Sequence, residues 1–283
     1  MQTPSNTPAT ISLGEPIALV AGVTNHSTTE SYSIYVGYNS NTTDWYSLAL
    51  DDNKGNQIAA TDDTLSQRPG GAASGPTYDI RPGQAFINTI PVSVDLPITK
   101  PGNYTIIFTT RLRYLVRHDA TIDQYTFAKR VLNDGTFVTK SDRFPITVLP
   151  ANPVDLERQA KDLVAKIKQY DNQPEIVDGD IQMLASMPPL EAASSWKDVA
   201  QNENDAIILA QALENNPSPE AATELDAMAH DPRLMNAQMS AQNVLYNMYN
   251  NAAPKLKKYI FDLEYRRGIA LPDQVLLPGP PID

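Results

Sequence analysis

Leu149-Pro150-Ala151-Asn152-Pro153 divides the chain. Each of its two prolines removes a backbone donor and fixes φ, so neither a strand nor a helix runs through. The residues before it are rich in Thr, Tyr, Ile and Val, which suit a pleated, half-buried surface. Those after it are rich in Ala, Leu, Gln, Glu and Met, which suit helix. The break predicts an α+β multidomain chain, with an antiparallel β-sandwich over 1–150 and an all-α helical-hairpin domain over 151–283.

The wider numbers agree with this division. At 283 residues the chain is long enough for two cores. Lys and Arg number 22 against 33 Asp and Glu, a net charge of −11, which argues against binding duplex nucleic acid through its phosphates. The charge is unevenly held: residues 1–150 carry 11 basic and 13 acidic side chains, residues 151–283 carry 11 and 20. No cysteine is present, which removes disulfides, thiolate catalysis and Cys-based metal sites. The longest apolar run near the start, Ile17–Val23, falls short of the ~20 residues of a membrane span. No basic stretch followed by an apolar one precedes it, so no signal peptide is visible. The polar, proline-broken lead Met1–Pro8 suits the start of a processed chain.

Upstream of the break, short apolar runs alternate with turn signals. Strands are expected at Ile17–Asn25, Tyr32–Tyr38, Trp45–Leu50, Gln84–Val94, Asn103–Val116 and Phe144–Leu149. In the longest, Tyr104, Ile106, Phe108, Leu112, Tyr114 and Val116 alternate to give one apolar face. Asp51-Asp-Asn-Lys-Gly-Asn56 is a turn cluster. Asp51, Asn53 and Asp62 also occupy positions 1, 3 and 12 of a calcium-loop window, but Gly55 stands one place early and a hairpin accounts for the run.

Ile11-Ser-Leu-Gly-Glu-Pro-Ile17, Val23-Thr-Asn25, Pro101-Gly-Asn-Tyr-Thr-Ile106 and Phe144-Pro-Ile-Thr-Val148 together resemble an immunoglobulin-like domain of bacterial extracytoplasmic type. Such sandwiches occur in macroglobulin, cell-adhesion and proteinase-inhibitor-like groups. The resemblance implies a sandwich, an extracytoplasmic place (periplasmic, secreted or at the cell surface) and Tyr104 at a tyrosine corner. It specifies a fold that supports many functions.

Downstream, helices are expected at Pro153–Tyr170 with Asp155 as cap, Asp180–Met187, Pro189–Ala200, Glu203–Asn215, from Ser218 to His230, from Asp231 to about Asn250, and Pro254–Gly268. Asp178-Gly-Asp180 is expected as a turn and helix cap. Short helices joined at Pro-containing corners resemble HEAT-type stacked hairpins, and Asp231-Pro-Arg233 is similar to that family's inter-helix turn. No internal period is visible, so an irregular bundle stands beside that reading. Residues 271–283, with Pro-Gly-Pro-Pro, are expected as an extended tail.

Chemistry-bearing motifs are few. The histidines are His26, His118 and His230; no two stand at metal-ligand spacing and HExxH is missing. His230 ends a helix, where the dipole alone explains it. No GxSxG occurs, and Gly70–Gly75 lacks the Lys-Ser/Thr of a phosphate loop. No catalytic, cofactor-binding or metal residue is therefore assigned. The most informative feature is basic: Arg111, Arg113 and Arg117 fall on the side of the long strand opposite its apolar face, and Arg130 follows. These four are the candidate interaction residues, facing solvent, the acidic helical half, or an acidic or polymeric ligand.

The functional expectation is a non-enzymatic binding or scaffold protein. Its contacts with a protein or an acidic ligand would come from sandwich loops, the 117–133 excursion or a concave helical surface. A proteinase inhibitor acting through the 61–78 loop is the alternative. A carboxylate enzyme at the domain junction is a third.

Overall fold

Proline placement organises the helical half. The structure, a computed structural model, describes residues 8–35, 46–61, 77–96, 98–116, 136–170 and 174–266. The chain forms two compact units, Met1–Leu13 with Ala18–Pro150, and Gly14–Ile17 with Ala151–Asp283. The linker Leu149–Pro153 thus separates strands from helices, and four residues from the N-terminal part fall with the helices.

In the first unit the strands are β1 (Ala9–Ser12), β2 (Ala18–Thr24), β3 (Tyr32–Tyr35), β4 (Tyr46–Asp52), β5 (Gln57–Ala60), β6 (Thr77–Ile80), β7 (Ala85–Pro91), β8 (Gly102–Val116) and β9 (Thr136–Leu149), with one helical turn, α1 (Val92–Asp95), after β7. The expected strand Gln84–Val94 therefore stops early. Pro91 has no N–H to continue the ladder, and Val92 begins a turn closed by the Leu96 amide on the Val92 carbonyl. The larger sheet is mixed: β1 runs parallel to β9, and the other pairings are antiparallel. β8 is its spine, paired with β9 on one edge and with β4 and then β3 on the other. β2 and β7 make a separate two-stranded sheet. Ile106 and Phe108 of β8 are buried, as the alternation predicts, together with Leu48, Leu50, Ile146 and Val148.

Two local details follow from residue type. Strand β9 begins eight residues earlier than its apolar run and contains Pro145, which sits just before β1 joins at Ile146, where β9 is still an edge. Between β4 and β5, Asp52 Oδ1 accepts the amides of Lys54 and Asn56 at 2.8 and 2.9 Å, and Gly55 takes φ +80°. The Asn56 side-chain amide, which donates to Asp52 Oδ2 at 3.0 Å, and then these backbone bonds hold the Asp52 carboxyl below its ordinary pKa. Asp52 thus closes the hairpin turn with hydrogen bonds to its own chain.

Among the described residues of the second unit there are seven helices: α2 (Pro153–Gln169), α3 (Pro174–Ser186), α4 (Pro189–Val199), α5 (Glu203–Leu213), α6 (Pro219–Ala229), α7 (Met235–Asn251) and α8 (Pro254–Arg266). α2 lies against α4, α4 against α6 and α6 against α8, while α3 lies against α5 and α5 against α7. The helices therefore stack in two rows, each hairpin on the last. α2, α4, α6 and α8 all start at a proline, where the missing N–H costs nothing. Their starts are 36, 30 and 35 residues apart, which explains why no strict period shows in the sequence.

Fully buried Trp196, Leu184 and Met187 hold the first hairpins, and the Trp196 indole N–H donates to the Leu184 carbonyl at 3.1 Å. Ser218 caps α6 as expected, its hydroxyl accepting the Ala221 amide at 3.1 Å. Asp155 does not cap α2; Asn152 is the N-cap and Asp155 sits in the first turn, held by Asn152 Nδ2 and Arg158. Asp178-Gly-Asp180 is not a turn but the interior of α3, which starts at Pro174. Packing overrides glycine's poor propensity there, because Asp180 is 1% exposed and bonded to Lys166 of α2 at 2.7 Å.

Candidate functional site

From Leu234 to Pro254 the chain carries no charged residue, although 55 of its 283 residues are charged. Helix α7 falls wholly inside this stretch. Ala237, Ala241, Val244, Leu245 and Met248 are buried along one side. Met235, Met239, Gln242, Tyr246 and Asn250, spaced three and four apart, are exposed on the other. Met235 is 75% and Met239 67% exposed. Thioether side chains adapt to the shape of what they meet, and amides both donate and accept. The face is fixed at both ends to α5 and the residue that follows it: Glu203 Oε1 accepts the Asn236 amide at 2.8 Å, and Glu214 Oε1 accepts from Asn247 Nδ2 at 3.1 Å. A hollow of about 90 Å³ between Glu214, Pro217, Asn247 and Asn251 is far below the ~300 Å³ of a small-molecule site. The geometry suits a surface contact.

A second feature lies where α6 meets α8. Asp226 and His230 are one turn apart, and Glu264 comes from α8. One ligand atom from each lies within 4.8 Å of the other two. His230 Nδ1 is 2.8 Å from the Asp226 carbonyl oxygen and 3.2 Å from Asp226 Oδ1. Asp226 is 2% and Glu264 9% exposed. Nearby on α6, burial pushes the Glu224 carboxyl up to about 7, and Lys197 opposes that only in part. After His230 the chain turns at Asp231-Pro232-Arg233. There the Arg233 guanidinium and amide bond the Asp231 carboxylate and hold its pKa at about 2.

No known protein family, curated protein or solved structure matches the chain.

Of the four arginines expected from the sequence, Arg111 and Arg113 lie two positions apart on β8, opposite Thr139 and Phe137 of β9. Arg117, Arg130, the 117–133 excursion, the central part (62–76) of the 61–78 loop and the 271–283 tail lie outside the described residues. An arginine not singled out from sequence, Arg143 of β9, bonds Asp51 of β4 at 2.8 Å. Asp51, a residue of the calcium-loop window, therefore serves the sheet. The uncharged α7 face was legible as a 21-residue gap in charge, Leu234–Pro254. The Asp226–His230 spacing of four was visible too; Glu264 was not, because only the fold brings α8 to α6. Among the described residues no helix is long and apolar enough to cross a membrane.

Proposed function

We propose that this chain is a non-enzymatic binding or scaffold protein whose helical unit holds a protein partner on the exposed face of α7. The observation that carries this reading is the exposure of Met235 and Met239 on a helix without a single charge. A contact made there desolvates thioethers and amides and no ions, so the fitting partner is a peptide segment of low charge with apolar side chains. The two-row stacking of α2–α8 supports the HEAT-type reading of a stiff surface built from repeated hairpins.

The strand unit is read as an immunoglobulin-like domain. β2 with β7 in one sheet, and β4, β8 and β9 in the other, are arranged like the B–E and C–F–G strands of such sandwiches. The Tyr104 hydroxyl donates to the Lys100 carbonyl at 2.8 Å, the bond of a tyrosine corner. That likeness is the ground for proposing an extracytoplasmic location.

The test is a differential capture. The full chain and its Met235→Glu/Met239→Glu double variant are immobilised and exposed to an envelope extract of the native organism. A protein retained by the first and lost by the second, and then bound by the purified pair, supports the reading. Identical retention by both overturns it.

A further inference from the structure

We propose that Met235 and Met239 form a paired oxidation site, at which a hydroperoxide turns the exposed face of α7 from apolar to polar and leaves the core intact. Six of the seven methionines lie within the described residues, and they fall into two sets. Met183, Met187, Met228 and Met248 are at most 4% exposed, whereas Met235 and Met239 are 75% and 67% exposed. The exposed two stand four residues apart on one helix, so both thioethers lie on the same side, one turn from each other. Among the described residues, an oxidant arriving from solvent therefore meets sulfur on this face.

The step is a two-electron transfer of oxygen. A sulfur lone pair attacks the outer oxygen of the peroxide, the O–O bond breaks and an S–O bond forms. The proton on that outer oxygen passes to the leaving oxygen, which departs as water or an alcohol. The thioether is thereby oxidised to the sulfoxide and the peroxide is reduced. A thiol-dependent reductase reverses the change, one enzyme for each sulfoxide epimer.

Position decides what the oxygen does. A sulfoxide replaces a weak acceptor by a strong, chiral one, and inside a core that change disrupts packing. At Met235 and Met239 most of the side chain is already in water, so the new oxygen is solvated. The buried side of α7, from Ala237 to Met248, keeps its contacts. The outer face carries no charge, so two strong dipoles alter it more than they would a charged surface. Resting on the reading of this face as a partner surface, oxidation would set two oxygens against the apolar side chains of a partner and release it.

The test exposes the full chain to hydrogen peroxide and follows each methionine by peptide mass mapping. Met235 and Met239 should gain oxygen about tenfold or more faster than Met183, Met187, Met228 and Met248. The doubly oxidised chain should keep its far-UV circular dichroism and melt within about 2 °C of the untreated chain. On a hydrophobic-interaction column it should elute earlier, and the two epimer-specific reductases should restore its retention. Met235→Leu/Met239→Leu, apolar and without sulfur at both positions, should be retained like the untreated chain and stay so after peroxide. Buried methionines oxidised as fast as the exposed two, or unfolding on double oxidation, overturns the proposal. Retention that peroxide shifts equally in both chains, or in neither, overturns it as well. Capture from the envelope extract tests the release: the oxidised wild-type chain should lose its α7-dependent protein and the peroxide-treated Leu variant should hold it. A protein held equally by oxidised and untreated wild-type chains overturns the release. Identical retention by the untreated chain and the Met235→Glu/Met239→Glu variant overturns the partner surface instead, and the oxidation site is then decided by mapping and column retention.

Discussion

Lys166 Nζ lies 2.7 Å from Asp180 Oδ1, a bond that ties α2 to α3 across their packed faces. The two ends are unequal: the lysine side chain is 41% exposed and the aspartate 1%. Water therefore stabilises the lysine whether or not the bond is made, but not the aspartate. Lys166→Ala should remove about 3 kcal/mol of stability in urea unfolding, most of it the cost of leaving a buried carboxylate unpaired. Asp180→Asn, which removes the charge and keeps an oxygen that can accept from Lys166, should cost clearly less. Equal losses in the two variants would show that packing, and not the buried charge, governs this contact.

Trp196 is the largest side chain in the helical core that no solvent reaches, and its indole N–H satisfies the Leu184 carbonyl. Trp196→Ala should cost about 4 kcal/mol, the range for truncating a buried aromatic. Trp196→Phe keeps much of the volume and loses the hydrogen bond, so roughly 1–2 kcal/mol is expected. Urea unfolding followed by far-UV circular dichroism measures both, and a Phe variant as damaged as the Ala variant would refute the split.

These contacts mark where sequence reading ends. The Leu149–Pro153 break, the alternation of Ile106 and Phe108, and the Ser218 cap were legible because each depends on neighbours within a few residues. Asp178-Gly-Asp180 misled for the same reason: the local signal says turn, while Lys166, fourteen residues upstream of Asp180, makes that aspartate acceptable inside a helix. The first half of β9 is not legible because it lacks an apolar run and is held by pairing with β8. The prolines opening α2, α4, α6 and α8 were each visible, yet the stacking they mark emerges only from which helices touch. Glu264 belongs to the same class, invisible until α8 is placed beside α6.

The β4–β5 hairpin separates two effects that usually travel together. Gly55 has φ +80°, but a Cβ built there would meet nothing within 4 Å. Gly55→Ala therefore tests backbone strain alone, and about 1–2 kcal/mol should be lost. Gly55→Asn should lose less, since Asn tolerates the left-handed region. Thermal unfolding of the two variants makes the comparison, and an Ala variant as stable as wild type would mean that the turn rearranges.

Glu224 sets the pH dependence of the helical unit, and the sign can be worked out. Burial raises its folded pKa to about 7 from an ordinary value of 4.5, with Lys197 pulling weakly the other way. Between those two values the folded chain holds a proton that the unfolded chain has released. Stability contributed by this group is thus present below about pH 4.5 and is lost as pH rises through 7. The span sets an upper bound of about 3 kcal/mol at 1.36 kcal/mol per pKa unit. Glu224→Gln carries no proton to lose, so its stability should stay flat across this window and exceed that of wild type at pH 8. Urea unfolding at pH 5, 6, 7 and 8 gives the slope. A wild-type chain whose stability falls no faster than that of the Gln variant would show that Glu224 is ionised at neutral pH in the fold, with Lys197 rather than burial deciding its charge.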